Sequence, residues 1–274
     1  MATVLERPPV TDNAVDTRPS GISDAEWQTR VDLAAFYRIA AIYDYDDFLY
    51  THITARVPGP DHHFLINPFG LTFDEITASS LVKVDLEGNV IGQSDYGINY
   101  AGYVIHSAIH AVREDALWIA HFHTRDGMGA SAHAEGLLPL SQRALYIIPR
   151  LGYHDYEGVA LNLDERERLQ ADLGQDKQFL LLRNHGTLAL GRTAGDAWAA
   201  IYQLEEACSA QVAALAGGRD HVLLAPDFAV EEAKRQIATP VAAARAAQGT
   251  RSHGQLAWEA VLRKVQRTLP GFDA

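Results

Sequence analysis

Apolar residues in this chain fall into a repeating order only after residue 20. Ser23 and Glu26 have the Ser-x-x-Glu spacing of a capping box, and the Ala-, Ile- and Tyr-rich sequence behind them predicts a helix to about Tyr43. From Tyr50 the period shortens, and residues 51–57, 64–66 and 81–85, each closed by turn residues, read as strands of one sheet. A stripe through Tyr100, Val104, Ser107 and Ala111 predicts a helix over 100–113, followed by a strand over 116–124. Two more strands, 179–183 and 186–190, meet at Asn184-His185. Thr193 and Asp196 repeat the capping spacing ahead of Ala197, Ile201, Leu204, Cys208, Val212 and Leu215, whose steps of three and four predict a long helix ending at Gly217-Gly218. Beyond Pro226 an Ala-rich helix is expected to about Ala247, then a short helix over 258–267. Residues 1–20, with Pro8, Pro9 and Pro19 and no apolar face, read as a flexible arm.

Composition narrows the possible roles. Of 274 residues, 47% are hydrophobic and 21% charged, enough apolar material for one sizeable core. A net charge of −12 repels polyphosphate and anionic lipid, so neither nucleic acid nor a membrane is an expected partner. No apolar run reaches the roughly 18 residues of a membrane span, the start does not resemble a signal peptide, and the single cysteine, Cys208, fits a reducing compartment; a cytoplasmic protein is expected. Cys208 lies on the long helix's apolar stripe, where packing explains it better than reactivity.

Chemistry is concentrated in the 12 histidines. Strand alternation turns His121 and His123 to one face while Trp118, Ala120 and Phe122 turn to the other, a two-toothed arrangement suited to Zn²⁺ or Fe²⁺. His185, at the tip of the Asn184-His185 turn, is the expected third ligand. The same His-x-His spacing also suits an ordinary solvated strand face. His106 and His110 are one helical turn apart, but HisSerAlaIleHis lacks the adjacent Glu of a zincin pair.

Several motifs in order resemble the class II aldolase/adducin family, and most closely its adducin head-like branch: TyrThrHisIleThrAlaArgVal, IleAsnProPheGly, IleAsnTyrAlaGlyTyrValIleHis, IleAlaHisPheHisThr, TyrHisAspTyrGluGly and LeuArgAsnHisGlyThr. The resemblance implies a three-layer α/β/α sandwich around a largely antiparallel sheet, over residues 21–225, with 226–274 as a C-terminal helical extension. It implies a homotetramer, one divalent metal ion per subunit on His121, His123 and His185, and a small-molecule substrate. Three departures qualify it. The family's Ser-Ser-Glu segment, whose Glu is a metal ligand and acid/base, aligns with Tyr100-Ala101-Gly102; His106, one turn on, is the candidate replacement. The phosphate-binding Gly-Asn aligns with Thr51-His52, and the Thr/Ser-Gly turn with Phe69-Gly70. Small and amide donors that cradle phosphate are thereby lost, so the expected substrate is a non-phosphorylated hydroxy or keto carboxylate.

Three functions follow from this resemblance. The first is a metal-dependent lyase, cleaving C–C or decarboxylating, with His52, Tyr146, His154 and Tyr156 as candidate acid/base groups and Asn67, Phe69, Gly70, Gly102 and His106 lining the substrate. The second is a mononuclear non-heme iron oxygenase for aromatic acids, and the third a non-catalytic scaffold like adducin. A Glu restored at position 102 is expected to fit.

Overall fold

The structure, a computed structural model, describes residues 18–160, 162–238 and 251–274. The proposed arm up to residue 17, and residues 239–250, which take in the expected Ala-rich helix from 239 to about Ala247, lie outside the described residues. Helices are α1 (Asp24–Ile42), α2 (Tyr100–Val112), α3 (Arg125–Ser131), α4 (Gln142–Ile147), α5 (Glu165–Leu173), α6 (Ala194–Leu215), α7 (Asp227–Ala238) and α8 (His253–Thr268). Strands are β1 (His52–Arg56), β2 (Phe64–Ile66), β3 (Val82–Val84), β4 (Trp118–Phe122), β5 (Leu151–His154), β6 (Phe179–Leu182) and β7 (Gly186–Gly191).

Among the described residues these strands form one seven-stranded sheet in the order β3-β2-β1-β4-β7-β6-β5. Every pairing is antiparallel except β5 with β6. Helices cover both faces, as an α/β/α sandwich requires. On one face α1, α6 and α8 bury Phe36, Ile201 and Val265 against Trp118, Ala120 and Phe122 of β4, and the Phe36 ring meets Trp118, Trp198 and Trp258. On the other, α2 and α5 bury Ile105, Ile109, Leu169 and Leu173 against Ile119, Leu180 and Leu188. Each strand's two-residue period thus divides its side chains between two cores.

Start signals act locally. Ser23, Thr193 and Ser252 accept hydrogen bonds from the backbone N–H groups of Glu26, Asp196 and Gln255. The return half of the expected box at Glu26 is not made; that carboxylate instead pairs with Arg30 and Lys83, tying α1 to β3. The C-terminal helix is longer than its apolar stripe implied, and it folds back on α1 and α6 with Val261, Val265 and Phe272 in the main core. Cys208 is fully buried on α6, and burial raises its thiol pKa well above the ordinary value.

Candidate metal centre and its surroundings

His121 lies on β4 and His123 one residue beyond its end, while His185 sits in the loop between β6 and β7. One ligand atom from each of the three lies within 4.8 Å of the others. The two strand histidines are held in defined tautomers. The Nδ1–H of His121 donates to the Thr187 carbonyl at 2.8 Å, and that of His123 donates to Asp47 Oδ2 at 3.0 Å, since neither acceptor can donate in return. Their Nε2 lone pairs are left facing each other across 2.8 Å. Two lone pairs at that separation repel unless a cation lies beside both, so the donor set fits a divalent metal, and the Asp47–His123 pair is the carboxylate–histidine arrangement that orients such ligands. Burial, then the neighbouring imidazoles, holds the pKa of His121 well below its ordinary value and that of His185 at about 4, so both rings are neutral, as ligation requires.

The Asn-His-Gly sequence explains how His185 reaches the strand pair. Asn184 takes a left-handed φ of 56°, which Asn tolerates better than most residues, and the His185 N–H closes the turn on the Leu182 carbonyl at 3.0 Å. Gly186 then lets β7 approach the end of β4: a Cβ there would lie 2.3 Å from the Phe122 carbonyl oxygen. A larger residue would push His185 away from His123.

Behind the three histidines lies a second file of buried imidazoles. His52 is the register partner of His121 across β1 and β4, and their ring centroids are 5.1 Å apart. Its ring is only 2% exposed and neither nitrogen has a hydrogen-bond partner of good geometry, while burial, then the neighbouring imidazoles of His123 and His185, lowers its pKa to about 3. The His106 ring packs against it at 4.2 Å. Farther in, the Thr54 hydroxyl bridges His106 Nδ1 at 2.7 Å and His110 Nε2 at 2.8 Å, which gives the helical pair a structural hydrogen-bonding role.

A family model for the class II aldolase and adducin N-terminal domain matches residues 31–212. The chain belongs to the class II aldolase/adducin family. It is 57% identical over 251 residues to a protein of Caulobacter vibrioides provisionally named an aldolase class 2 protein, covering 92% of this chain and 94% of that one. It is also 40% identical over 240 residues to rat (Rattus norvegicus) alpha-adducin, covering 86% of this chain but only 32% of the adducin. Among solved structures, an aldolase II superfamily protein from Pseudomonas syringae superposes with a TM-score of 0.85 at 46% identity, over 92% of this chain and 98% of that one. An L-fuculose 1-phosphate aldolase from Glaciozyma antarctica PI12 superposes with a TM-score of 0.73 at 27% identity, over 92% and 94%.

Within this class II aldolase/adducin fold, the site residues expected from the sequence separate into groups. Gly102 lies against His52: a Cβ on Gly102 would stand 2.7 Å from His52 Nδ1 and 2.8 Å from its Cγ and Cε1. This corrects the expectation that Glu fits at 102, because the imidazole already fills the space the new side chain would enter. Tyr156 is 55% exposed with its ring 6.4 Å from that of His185. His154 is buried, with Asp172 Oδ2 at 2.7 Å from Nδ1 and Glu165 Oε1 at 3.3 Å from Nε2; it lines a small cleft with Tyr156 and His185. Asn67 is buried with its side-chain carbonyl on the Tyr37 hydroxyl, Phe69 and Gly70 form an exposed turn, and Tyr146 stacks under Arg150.

Two groups escaped sequence reasoning. Asp47 is one of three acids in the run AspTyrAspAsp, with no periodicity to select it. Glu205 lies beside Leu204 and four residues after Ile201, within the apolar arc of α6, and an acid inside such an arc is the signal that marks it.

Proposed function

We propose that this protein is a divalent-metal-dependent lyase that breaks a C–C bond, by aldol-type cleavage or decarboxylation, in a small non-phosphorylated hydroxy or keto carboxylate. The observation that carries this reading is the convergence of His121, His123 and His185, with the outer nitrogens of the first two engaged by Thr187 and Asp47. His121, His123 and His185 would hold one Zn²⁺ or Fe²⁺ ion per subunit, which would supply a Lewis acid for a substrate oxygen. His52, neutral and with neither ring nitrogen hydrogen-bonded, is assigned as an acid/base group, and because it is buried behind His121 a substrate would reach it only once that packing opens. Tyr156, at the open rim beside His185, is the group assigned to exchange the proton at carbon, with the exposed Tyr146 as the second candidate. His154, engaged at both nitrogens, holds β5 to α5 and so fixes the Tyr156 wall. His106 and Gly102 bracket His52, while Asn67, Phe69 and Gly70 are assigned to the far end of the substrate.

The groups at positions 52 and 69 argue against a phosphorylated substrate. The imidazole at position 52 stays uncharged above pH 4, and Phe69 puts an exposed apolar ring where a small phosphate-binding turn would lie. We further infer a cytoplasmic homo-oligomer, a tetramer with sites at the subunit interfaces, supported by the exposed Phe48, Tyr50 and Tyr100 close in sequence to Asp47, His52 and Gly102. No described helix is long and apolar enough to cross a membrane.

The all-imidazole donor set, without the family's carboxylate, also favours a non-heme iron oxygenase acting on an aromatic acid, because it leaves several coordination positions free. The likeness to alpha-adducin supports a non-catalytic scaffold. Metal analysis of protein purified anaerobically, then product screening with and without O₂, separates the readings: turnover independent of O₂ is expected for the lyase, O₂ consumption coupled to product for the oxygenase, and metal-free inert protein for the scaffold.

A further inference from the structure

A buried carboxyl group that no step of the proposed reaction uses lies beneath the metal centre. Glu205, on α6, is 3% exposed, and its neighbours on the same helix, Leu204 and Cys208, are fully buried in the apolar core. An apolar side chain there would avoid the cost of burying a carboxyl group, so packing does not account for an acid. Its hydrogen bonds do. Oε2 accepts from the Thr124 hydroxyl at 2.5 Å and Oε1 from the Thr187 hydroxyl. Thr124 directly follows His123, and its hydroxyl also accepts from the Gly127 N–H at 2.9 Å to cap α3. Thr187 lies two residues after His185, and its carbonyl is the acceptor that orients His121.

We propose that Glu205 is the positioning residue of the metal centre: by holding the Thr124 and Thr187 hydroxyls together, it locks the end of β4, with His121 and the adjoining His123, to the start of β7 and the turn before it that holds His185. One carboxyl group reaches the segments of all three ligands without touching any of them. Losing it frees the two strand ends to separate and lets the Thr187 carbonyl turn away from His121 Nδ1. Side chains that orient ligands in this way are worth roughly 10- to 100-fold in metal affinity. The inference rests on the metal-centre reading and adds to it the element that sets the angle between the ligands.

The test is a titration of metal-free full-length protein with Co²⁺ and Zn²⁺, following the visible Co²⁺ absorption, for wild type, Glu205→Ala, Glu205→Gln, Thr187→Val and Cys208→Ala. Glu205→Ala is expected to lose 10- to 100-fold in affinity and to change the Co²⁺ band shape. Glu205→Gln, which keeps one acceptor, is expected to recover part of that loss. Thr187→Val keeps the β-branched shape and the carbonyl, and is expected to lose several-fold if Glu205→Ala does not fold. Cys208→Ala removes neighbouring core volume and is expected to bind as wild type with an unchanged spectrum. Wild-type affinity and spectrum in Glu205→Ala or Thr187→Val, or an equal loss in Cys208→Ala, would overturn the positioning role alone. Failure of the wild type to bind either ion would overturn the metal-centre reading and this inference with it.

Discussion

Replacing Gly102 by Ala tests whether His52 has taken the space of the family's carboxylate. At an ordinary helical site the change stabilises by up to about 1 kcal/mol, because Gly has the greater backbone entropy to lose. Here the added methyl would stand 2.7–2.8 Å from three atoms of the His52 ring. That ring cannot easily slide: it is 2% exposed, with His106 at 4.2 Å and His121 at 5.1 Å on its other sides. Overpacking of this kind costs ~1–3 kcal/mol, so Gly102→Ala should be net destabilising by ~1–2 kcal/mol, or ~2–6 °C in Tm for a chain of this size. In a His52→Ala background the obstruction is gone and the same change should stabilise by up to about 1 kcal/mol, giving a coupling of ~2–3 kcal/mol in the double-mutant cycle. Thermal unfolding of the four proteins with excess chelator keeps metal linkage out of the comparison. A rise in Tm for Gly102→Ala in the wild-type background, or additivity of the two changes, would refute the argument. By the same reasoning Gly102→Glu folds well only alongside His52→Ala.

Further expectations concern pH, metal and substrate. Burial, outweighing its two threonine hydrogen bonds, raises the pKa of Glu205 to about 7 from an ordinary 4.5, and Asp126 and Glu206 push the same way. The native state then holds the proton that the unfolded chain has already released, so stability falls as pH rises from 4.5 through 7, by about 3 kcal/mol in all. Glu205→Gln should remove most of this slope in chelator-treated protein, gaining stability at pH 8 and little at pH 5; parallel pH profiles for mutant and wild type would contradict it. His185→Ala should lose most bound metal in elemental analysis while His110→Ala, whose ring is held by Thr54, keeps it; the opposite pattern would move the centre to the helical pair. Asp47→Asn should weaken Zn²⁺ binding by about tenfold, measured by competition with a chromophoric chelator, and an unchanged affinity would remove Asp47 from the site. Sugar phosphates should be turned over at well under ~10⁴ M⁻¹s⁻¹, and any faster reaction in a substrate screen would restore the phosphate-binding reading.

Features set by short-range geometry were legible in the sequence. The two-residue period of a strand places His121 and His123 on one face whatever the strand packs against, and Ser23 and Thr193 start their helices through hydrogen bonds only three residues long. The Asn184-His185-Gly186 turn is local in the same sense, and the order of motifs identified the family. By contrast, β5 escaped notice because LeuGlyTyrHis is short, contains Gly and His, and gains its strand conformation from parallel pairing with β6. Likewise, α5 is too polar to show an apolar stripe, and its few buried residues acquire meaning only against α2. Which acid of AspTyrAspAsp meets His123, why an acid lies inside the apolar arc of α6, and why Gly102 must stay Gly depend on segments separated by 76, 81 and 50 positions. Periodicity along a chain fixes which way a side chain faces; what it faces is decided only when the sheet brings those distant segments together.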